Sequence, residues 1–311
     1  MDIPTSSRAA LIDDIFAVSR AGLANVSDAY MLIRYLKNET EFVPWTMALA
    51  TMNQQELLLD ENYILADVQQ YFLELILPIY ETIGWLSLNE STEWLHALLQ
   101  LSILSNVCRY GHQDCIDAAR RLYRDWNRNP ALNSISADLR STVYCIVVRS
   151  GSRSEFDFLW NRLQNESIAS ETLNLLEGLS CTQDPPLILW FLDQHLENQS
   201  IIRNQDLIPS IVRIARYPPA NPIVWDWIRD KWLKLFPKSG QSEGRLSRII
   251  EAVSSRFVTT RKRDEFRTFA DSIVDKGKKI TFSSYYHFSE QLCRSHLGAT
   301  FRQFQSSMEY E

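Results

Sequence analysis

The residues best suited to chemistry gather in one stretch, Asn106-Val107-Cys108-Arg109-Tyr110-Gly111-His112-Gln113-Asp114-Cys115, and in two later cysteines, Cys145 and Cys181. On a helix, Cys108, His112 and Cys115 stand at i, i+4 and i+7, so they share a face and could begin a metal site. The same four thiols could instead form two disulfides. A structural zinc site needs four ligands, commonly in two close pairs. Cys145 and Cys181 are far apart in sequence, and neither has another Cys or His nearby to complete a pair, which weighs against the metal. Disulfides would imply an oxidising compartment. Cys293 is left over as an unpaired thiol.

Elsewhere the catalytic inventory is thin. His96, His112, His195, His287 and His296 form no H-E-x-x-H, and there is no G-x-S-x-G, phosphate-cradling glycine loop or dinucleotide fingerprint. Asp13 and Asp14 are neighbouring carboxylates near a helix start that could serve a site, but they read more simply as partners of its N-terminal dipole or as holding a neighbouring backbone. His195 reads as an exposed helix residue. Five N-x-[ST] sequons, at Asn25, Asn38, Asn89, Asn165 and Asn198, are candidate glycosylation sites and point to a lumenal or extracellular history.

The elements that must position these residues read as helices throughout. Of 311 residues 45% are hydrophobic and only 9 are Gly, and no stretch alternates apolar and polar long enough for a strand. A helix over Ser6–Arg20 ends at Gly22, and a second covers Val26–Leu36. Pro44 starts a third that turns Trp45, Leu49 and Met52 inward. A long helix from Asn62 to Ile83 holds Pro78 as a kink, and the next, Leu88–Arg109, buries Trp94, Leu98, Leu101 and Leu104. Beyond Gly111 the helices shorten and pair, as in Asp114–Asn127, Ser136–Ser150, Ser154–Gln164 and Ser167–Leu179, continuing to Lys262–Asp275. The expected fold is all-α, a HEAT- or armadillo-like superhelix of paired helices forming a concave bowl.

A net charge of -6 speaks against nucleic acid as a partner. The runs Arg261-Lys262-Arg263 and Arg120, Arg121, Arg124, Arg128 read as solvated helix faces. The greasiest stretch, Tyr71–Tyr80, contains Glu74 and Pro78, so no membrane span is expected. The segment after Met1-Asp2-Ile3-Pro4 is polar and acidic, which predicts that the chain carries no signal peptide of its own.

Several segments together resemble a known family. Ser7-Arg8-Ala9-Ala10-Leu11-Ile12-Asp13-Asp14 through Arg20-Ala21-Gly22 is similar to the N-R-A-x-L-I-D-D…A-R-A-G opening of the C-terminal helical, endoplasmic-reticulum-aminopeptidase-like domain of aminopeptidase N-type zinc metallopeptidases. Glu41-Phe42-Val43-Pro44-Trp45 resembles that domain's E-[YF]-x-P-W segment. Leu77-Pro78-Ile79-Tyr80 with Ile83-Gly84-Trp85 resembles its P-x-Y…[LI]-G-W element. Leu176–Cys181 with Asp184 resembles its A/G-L-x-C-x-x-D turn, and Arg248–Val253 through Phe257 its late [RN]-x-I-x-x-V…R-F segment.

The likeness spans residues 4–275 and leaves 276–311 as a divergent tail, without the N-I-x-W helix that usually ends the family. It implies disulfides Cys108–Cys115 and Cys145–Cys181, as in extracellular members. It also implies a helical bowl that caps a thermolysin-like catalytic domain, closes over its zinc and restricts the peptides admitted. The family's H-E-x-x-H, G-A-M-E-N motif and catalytic Tyr belong upstream and have no counterpart here, so no catalytic, cofactor or metal residue is carried over. Zinc belongs to the absent catalytic domain, and this chain alone is expected to be inactive. Some relatives place a basic residue just before the late segment to meet a substrate carboxylate. Here Gly244 holds that position, leaving Arg245 and Arg248 as candidates. The expected partners are peptides and the missing catalytic domain supplied in trans, and the expected location is extracellular or displayed at the plasma membrane. A stand-alone solenoid that binds peptides or proteins is the alternative.

Overall fold

The computed structural model describes residues 3–85, 94–197, 199–238 and 243–274. Fourteen α-helices and two short 3-10 helices make up its regular structure, with no strand among the described residues. The chain divides into two compact units, the first running to Cys115 and including Val258–Thr260, and the second running from Ile116 to Phe257 and again from Arg261.

In the first unit, α1 (Thr5–Arg20) packs against α3 (Phe42–Leu58) and α2 (Val26–Leu32), while α4 (Leu65–Ile83) packs against α5 (Trp94–Arg109) and the 3-10 turn Ile33–Asn38. Large side chains fill its centre: Phe16, Trp45, Met52 and Phe72 are almost wholly buried. The segments with family likeness hold it together. Arg8 donates from Nε and Nη2 to the Glu39 carboxylate at 2.7 and 3.0 Å, and the same carboxylate accepts from the Thr40 and Glu41 amides at 3.0 Å each. Trp45 Nε1 then donates to the Glu39 carbonyl at 2.9 Å, locking the start of α3 to α1.

Two expectations change here. Asp13 and Asp14 lie exposed in the middle of α1, whose first turn holds no acid, so they do not serve its N-terminal dipole. Trp94 is 72% exposed, and Leu98 and Leu101 are only half-buried. The buried stripe of α5 is instead Leu99, Gln100, Ile103, Leu104, Val107 and Cys108. Gln100 and Cys108 set that rotation. Gln100 Nε2 closes the end of α4 by donating to the carbonyls of Ile83 and Gly84, at 3.3 and 2.9 Å, and Cys108 is bonded to Cys115.

The second unit holds most of α6 (Gln113–Arg128), then α7 (Arg140–Ser150), α8 (Arg153–Gln164), α9 (Ala169–Ser180), α10 (Pro185–Gln194), α11 (Asn204–Arg216), α12 (Asn221–Lys238), α13 (Glu243–Ser254) and α14 (Thr260–Val274). Here α7 packs on α9, α9 on α11 and α11 on α13, while α10 packs on α12. The helices α7, α9, α11 and α13 thus form one row of next-but-one neighbours. Gly178 makes the α7–α9 contact possible, since a Cβ there would come within 2.5 Å of Tyr144 Cβ and 2.7 Å of Leu159 Cδ2. Aromatic edges close the far end, with Trp225 against Phe257 at 5.2 Å and Phe269 at 5.2 Å.

Candidate functional site

Cys108 and Cys115 form a disulfide with an S–S distance of 1.97 Å across the turn from α5 to α6. Gly111 takes φ +85° in that turn, a conformation that favours glycine. His112 is no ligand to these sulfurs. Its ring packs edge-on to Tyr80 at 5.4 Å, and the Tyr80 hydroxyl donates to Asp114 Oδ2 at 2.7 Å.

Beside this bridge lies a polar cluster that the sequence did not reveal. Glu56 is buried and accepts from Arg109 Nη1 and Nη2 at 2.6 and 2.8 Å, from the Tyr110 hydroxyl at 2.7 Å and from Gln69 Nε2 at 2.9 Å. Burial pushes the Glu56 carboxyl up, but the Arg109 guanidinium and the two neutral donors outweigh it and hold the group below the ordinary carboxylate range. Arg109 directly follows Cys108, so the bridge and the ion pair fix the same turn of helix. A charged residue beside a cysteine in an apolar helix was the available signal.

In the second unit Cys145 and Cys181 are bonded at 2.02 Å, joining the middle of α7 to the residue that ends α9. The Tyr217 hydroxyl, from the residue that ends α11, lies 2.9 Å from Cys181 Sγ, 3.4 Å from Cys145 Sγ and 3.4 Å from Glu177 Oε1. Disulfide sulfurs carry no proton, so the hydroxyl is the only donor of the group, with the Glu177 carboxylate and the two sulfurs as its possible acceptors. Glu177 also pairs with Arg213 at 2.7 Å, and the Arg149 guanidinium stands 5.7 Å from the Tyr217 ring centre. Burial, then Glu177, raise the Tyr217 hydroxyl above its usual value, keeping it protonated. The signal for Tyr217 was its place directly before Pro218-Pro219, where a helix must stop.

Ten residues before Cys181, Glu171 of α9 accepts from the Tyr144 hydroxyl at 2.5 Å and Arg140 Nη1 at 3.0 Å, both on α7. The A/G-L-x-C-x-x-D resemblance thereby acquires physical content. Gly178 admits α7, Cys181 bonds to it, and Asp184 caps α10 by accepting from the Leu187 amide at 3.5 Å.

A cleft of about 430 Å³ opens between α6, α7 and the start of α8, lined by Arg120, Tyr123, Arg124, Ser152 and Glu155 among others. Its walls largely satisfy one another. Arg120 donates to the Ser150 carbonyl, and Glu155 Oε2 accepts from the Ser152 amide and hydroxyl at 2.7 and 2.8 Å.

Arg245 and Arg248 are both exposed on α13, one turn apart, and neither makes an ion pair among the described residues. Asn25, Asn38 and Asn165 are exposed; Asn25 caps α2 by accepting from the Ser27 amide at 3.1 Å, and Asn165 Nδ2 donates to the Asn161 carbonyl at 2.9 Å. Asn89, Asn198, Cys293 and the tail 276–311 lie outside the described residues. His195 corrects the expectation of an exposed residue. It is buried at the end of α10, its ring edge-on to Phe191 at 5.0 Å and its Nδ1 2.7 Å from the Phe191 carbonyl. α10 stops at Gln194, before His195, and the ring folds back onto its own last turn. Nε2 is buried and has no partner among the described residues, so the neutral tautomer donates from Nδ1, and burial lowers the pKa to about 4.

Among the described residues no group of three or more His, Cys, Asp or Glu could hold a metal ion, so those residues do not fit a zinc site. No helix among them is long and apolar enough to cross a membrane. Fold and site together define a disulfide-bridged, all-helical domain. The chain belongs to the family described as ERAP1-like C-terminal domain, which matches residues 1–281. It is 31% identical over 284 residues to aminopeptidase N of Bos taurus, covering 89% of this chain and 29% of that protein. Similar matches are aminopeptidase Ey of Gallus gallus, at 30% over 88% of this chain and 28% of the relative, and the thyrotropin-releasing hormone-degrading ectoenzyme of Rattus norvegicus, at 30% over 87% and 26%. The chain thus spans less than a third of the length of these relatives.

Proposed function

We propose that this chain is the non-catalytic helical part of an extracellular or plasma-membrane-displayed zinc aminopeptidase, where it shapes and gates the cavity that receives peptides before their N-terminal residues are removed. The observation that carries this reading is the asymmetry of the match, which covers nearly all of this chain but 29% of an aminopeptidase. The alternating packing of α7, α9, α11 and α13 supports a HEAT-like superhelix with a concave face, running over residues 4–275 with 276–311 as a separate tail. The two disulfides support an oxidising compartment. Zinc in this reading is held by the catalytic domain of the parent enzyme. The contribution of the present residues is to enclose, orient and exclude.

Two experiments test it. The purified chain with added zinc and a chromogenic aminoacyl anilide should give no turnover, and chelator-sensitive release of the aniline would overturn the reading. Replacing the helical part of a relative with this chain should restore peptide cleavage; a chimera that folds and binds peptide without cleaving it would favour a stand-alone peptide-binding solenoid. In an active chimera, Arg245→Ala with Arg248→Ala should raise KM for a peptide with a free C-terminal carboxylate and leave its carboxamide unaffected. Equal effects on both would remove these arginines from substrate recognition.

A further inference from the structure

The two disulfides differ in ways that bear on reactivity. Cys108 and Cys115 are both buried, and among the described residues no hydroxyl donates to either sulfur. In the other bridge Cys181 is buried while Cys145, on α7, is only half-buried. The Tyr217 oxygen lies 2.9 Å from Cys181 Sγ and 3.4 Å from Glu177 Oε1, so its one proton is within reach of a thiolate formed at the inner sulfur. Arg149, one turn beyond Cys145 on α7, brings a guanidinium to 5.7 Å from the Tyr217 ring centre, and Arg213 offsets the Glu177 carboxylate at 2.7 Å. Thiolates attack disulfides in line, preferring an accessible sulfur and a stabilised leaving group, and nearby cations favour the attacking anion.

We propose that Cys145–Cys181 is a thiol–disulfide exchange site, with Cys145 Sγ the sulfur attacked and Cys181 Sγ the leaving group, and that its co-substrate is a dithiol. One thiolate of the dithiol bonds to Cys145 Sγ as the Cys145–Cys181 bond breaks, and the electron pair leaves on Cys181 Sγ. That thiolate forms 2.9 Å from the Tyr217 oxygen, accepts the hydroxyl's hydrogen bond as it turns from Glu177, and takes a proton from solvent. The resulting S–H finds the Glu177 carbonyl, 3.3 Å from the sulfur, so the reduced residue keeps two partners. The second thiol of the dithiol, as thiolate, then attacks the mixed disulfide and releases Cys145. The dithiol is oxidised to its disulfide, and the protein gains two electrons and two protons. Exchange releases α7 from the end of α9, where Tyr217 also ties in α11, so it loosens one row of stacked helices at a single point.

The test uses the intact oxidised chain under native conditions. Graded dithiothreitol, rapid alkylation and peptide mass spectrometry read the two bridges in the same sample. Cys145 and Cys181 should be alkylated before Cys108 and Cys115, and oxidised protein exposed to glutathione should carry the adduct on Cys145. Tyr217→Phe should slow reduction of Cys145–Cys181 by about 3- to 10-fold, the loss expected from removing one hydrogen bond of about 1 kcal/mol to the leaving sulfur, and leave Cys108–Cys115 unchanged. Should that variant be less stable, the loss falls on the second unit and would speed reduction of Cys145–Cys181, so the slowing is read at a temperature where circular dichroism shows the variant fully folded. Simultaneous reduction, earlier reduction of Cys108–Cys115, an adduct on Cys181, or an unchanged ratio in Tyr217→Phe would each overturn the proposal.

Discussion

Single side chains carry much of the specificity of this fold, and the most consequential are charged and buried. Glu56 and Arg109 share a desolvated pair whose removal is asymmetric. Losing one partner strands the other, at about 3–5 kcal/mol, while replacing both with apolar groups can be nearly neutral. Arg109→Met should therefore lower the urea midpoint of the first unit strongly, and Glu56→Leu with Arg109→Met should recover most of the loss. A double variant as damaged as the single one would show that the network is worth more than its pair. His195 makes a separate, pH-dependent contribution. Burial lowers its folded pKa to about 4 from an ordinary value of 6.5, so the unfolded chain binds the extra proton first. Stability then falls as pH drops through 6.5 and levels off near 4, by at most about 1.4 kcal/mol per pH unit. In His195→Leu, stability measured against pH should be flatter across that window; an unchanged acid limb would assign the loss to other groups.

At the scale of elements, the closest approach decides. Gly178→Ala would force a Cβ onto Tyr144 and Leu159, so α7 and α9 must separate. Overpacking of this kind costs about 1–3 kcal/mol, and circular dichroism on heating should show a lower midpoint with helix content intact at room temperature. Helices themselves were legible in the sequence to within a few residues, because apolar spacing and caps such as Asp184 are local signals. Their rotation was less legible. Trp94 looks like a core anchor by size, yet the turn of α5 that carries it is governed by Gln100 and Cys108 further along. His195 was missed for the opposite reason, since a helix end that folds back on itself leaves no periodic trace. The Glu56–Arg109 pair joins residues 53 positions apart, a separation no local pattern encodes.

For the whole molecule, the division into two units predicts how it melts. Each disulfide lies inside one unit, the first closing a 7-residue separation and the second a 36-residue one. Such loops are worth roughly 2–4 kcal/mol, more for the longer. Calorimetry should therefore resolve two transitions, with Cys108→Ser/Cys115→Ser lowering one and Cys145→Ser/Cys181→Ser lowering the other by a larger amount. A single transition shifted by either pair would mean that the units melt together. The family was legible from a handful of short segments, and the structure shows what their residues do physically. Arg8 anchors Glu39, Trp45 holds the Glu39 carbonyl, and Gly178 admits α7. Asn25 has a local role of that kind too, and it bears on handling the protein. Its Oδ1 closes the start of α2, and a sugar would attach through Nδ2 and leave that oxygen alone. Enzymatic removal of such a sugar turns the residue into aspartate, one of the best helix-capping residues, with its charge at the favourable end of the helix. Deglycosylated material should therefore keep the start of α2 intact, and crystals grown from it would report the natural backbone there.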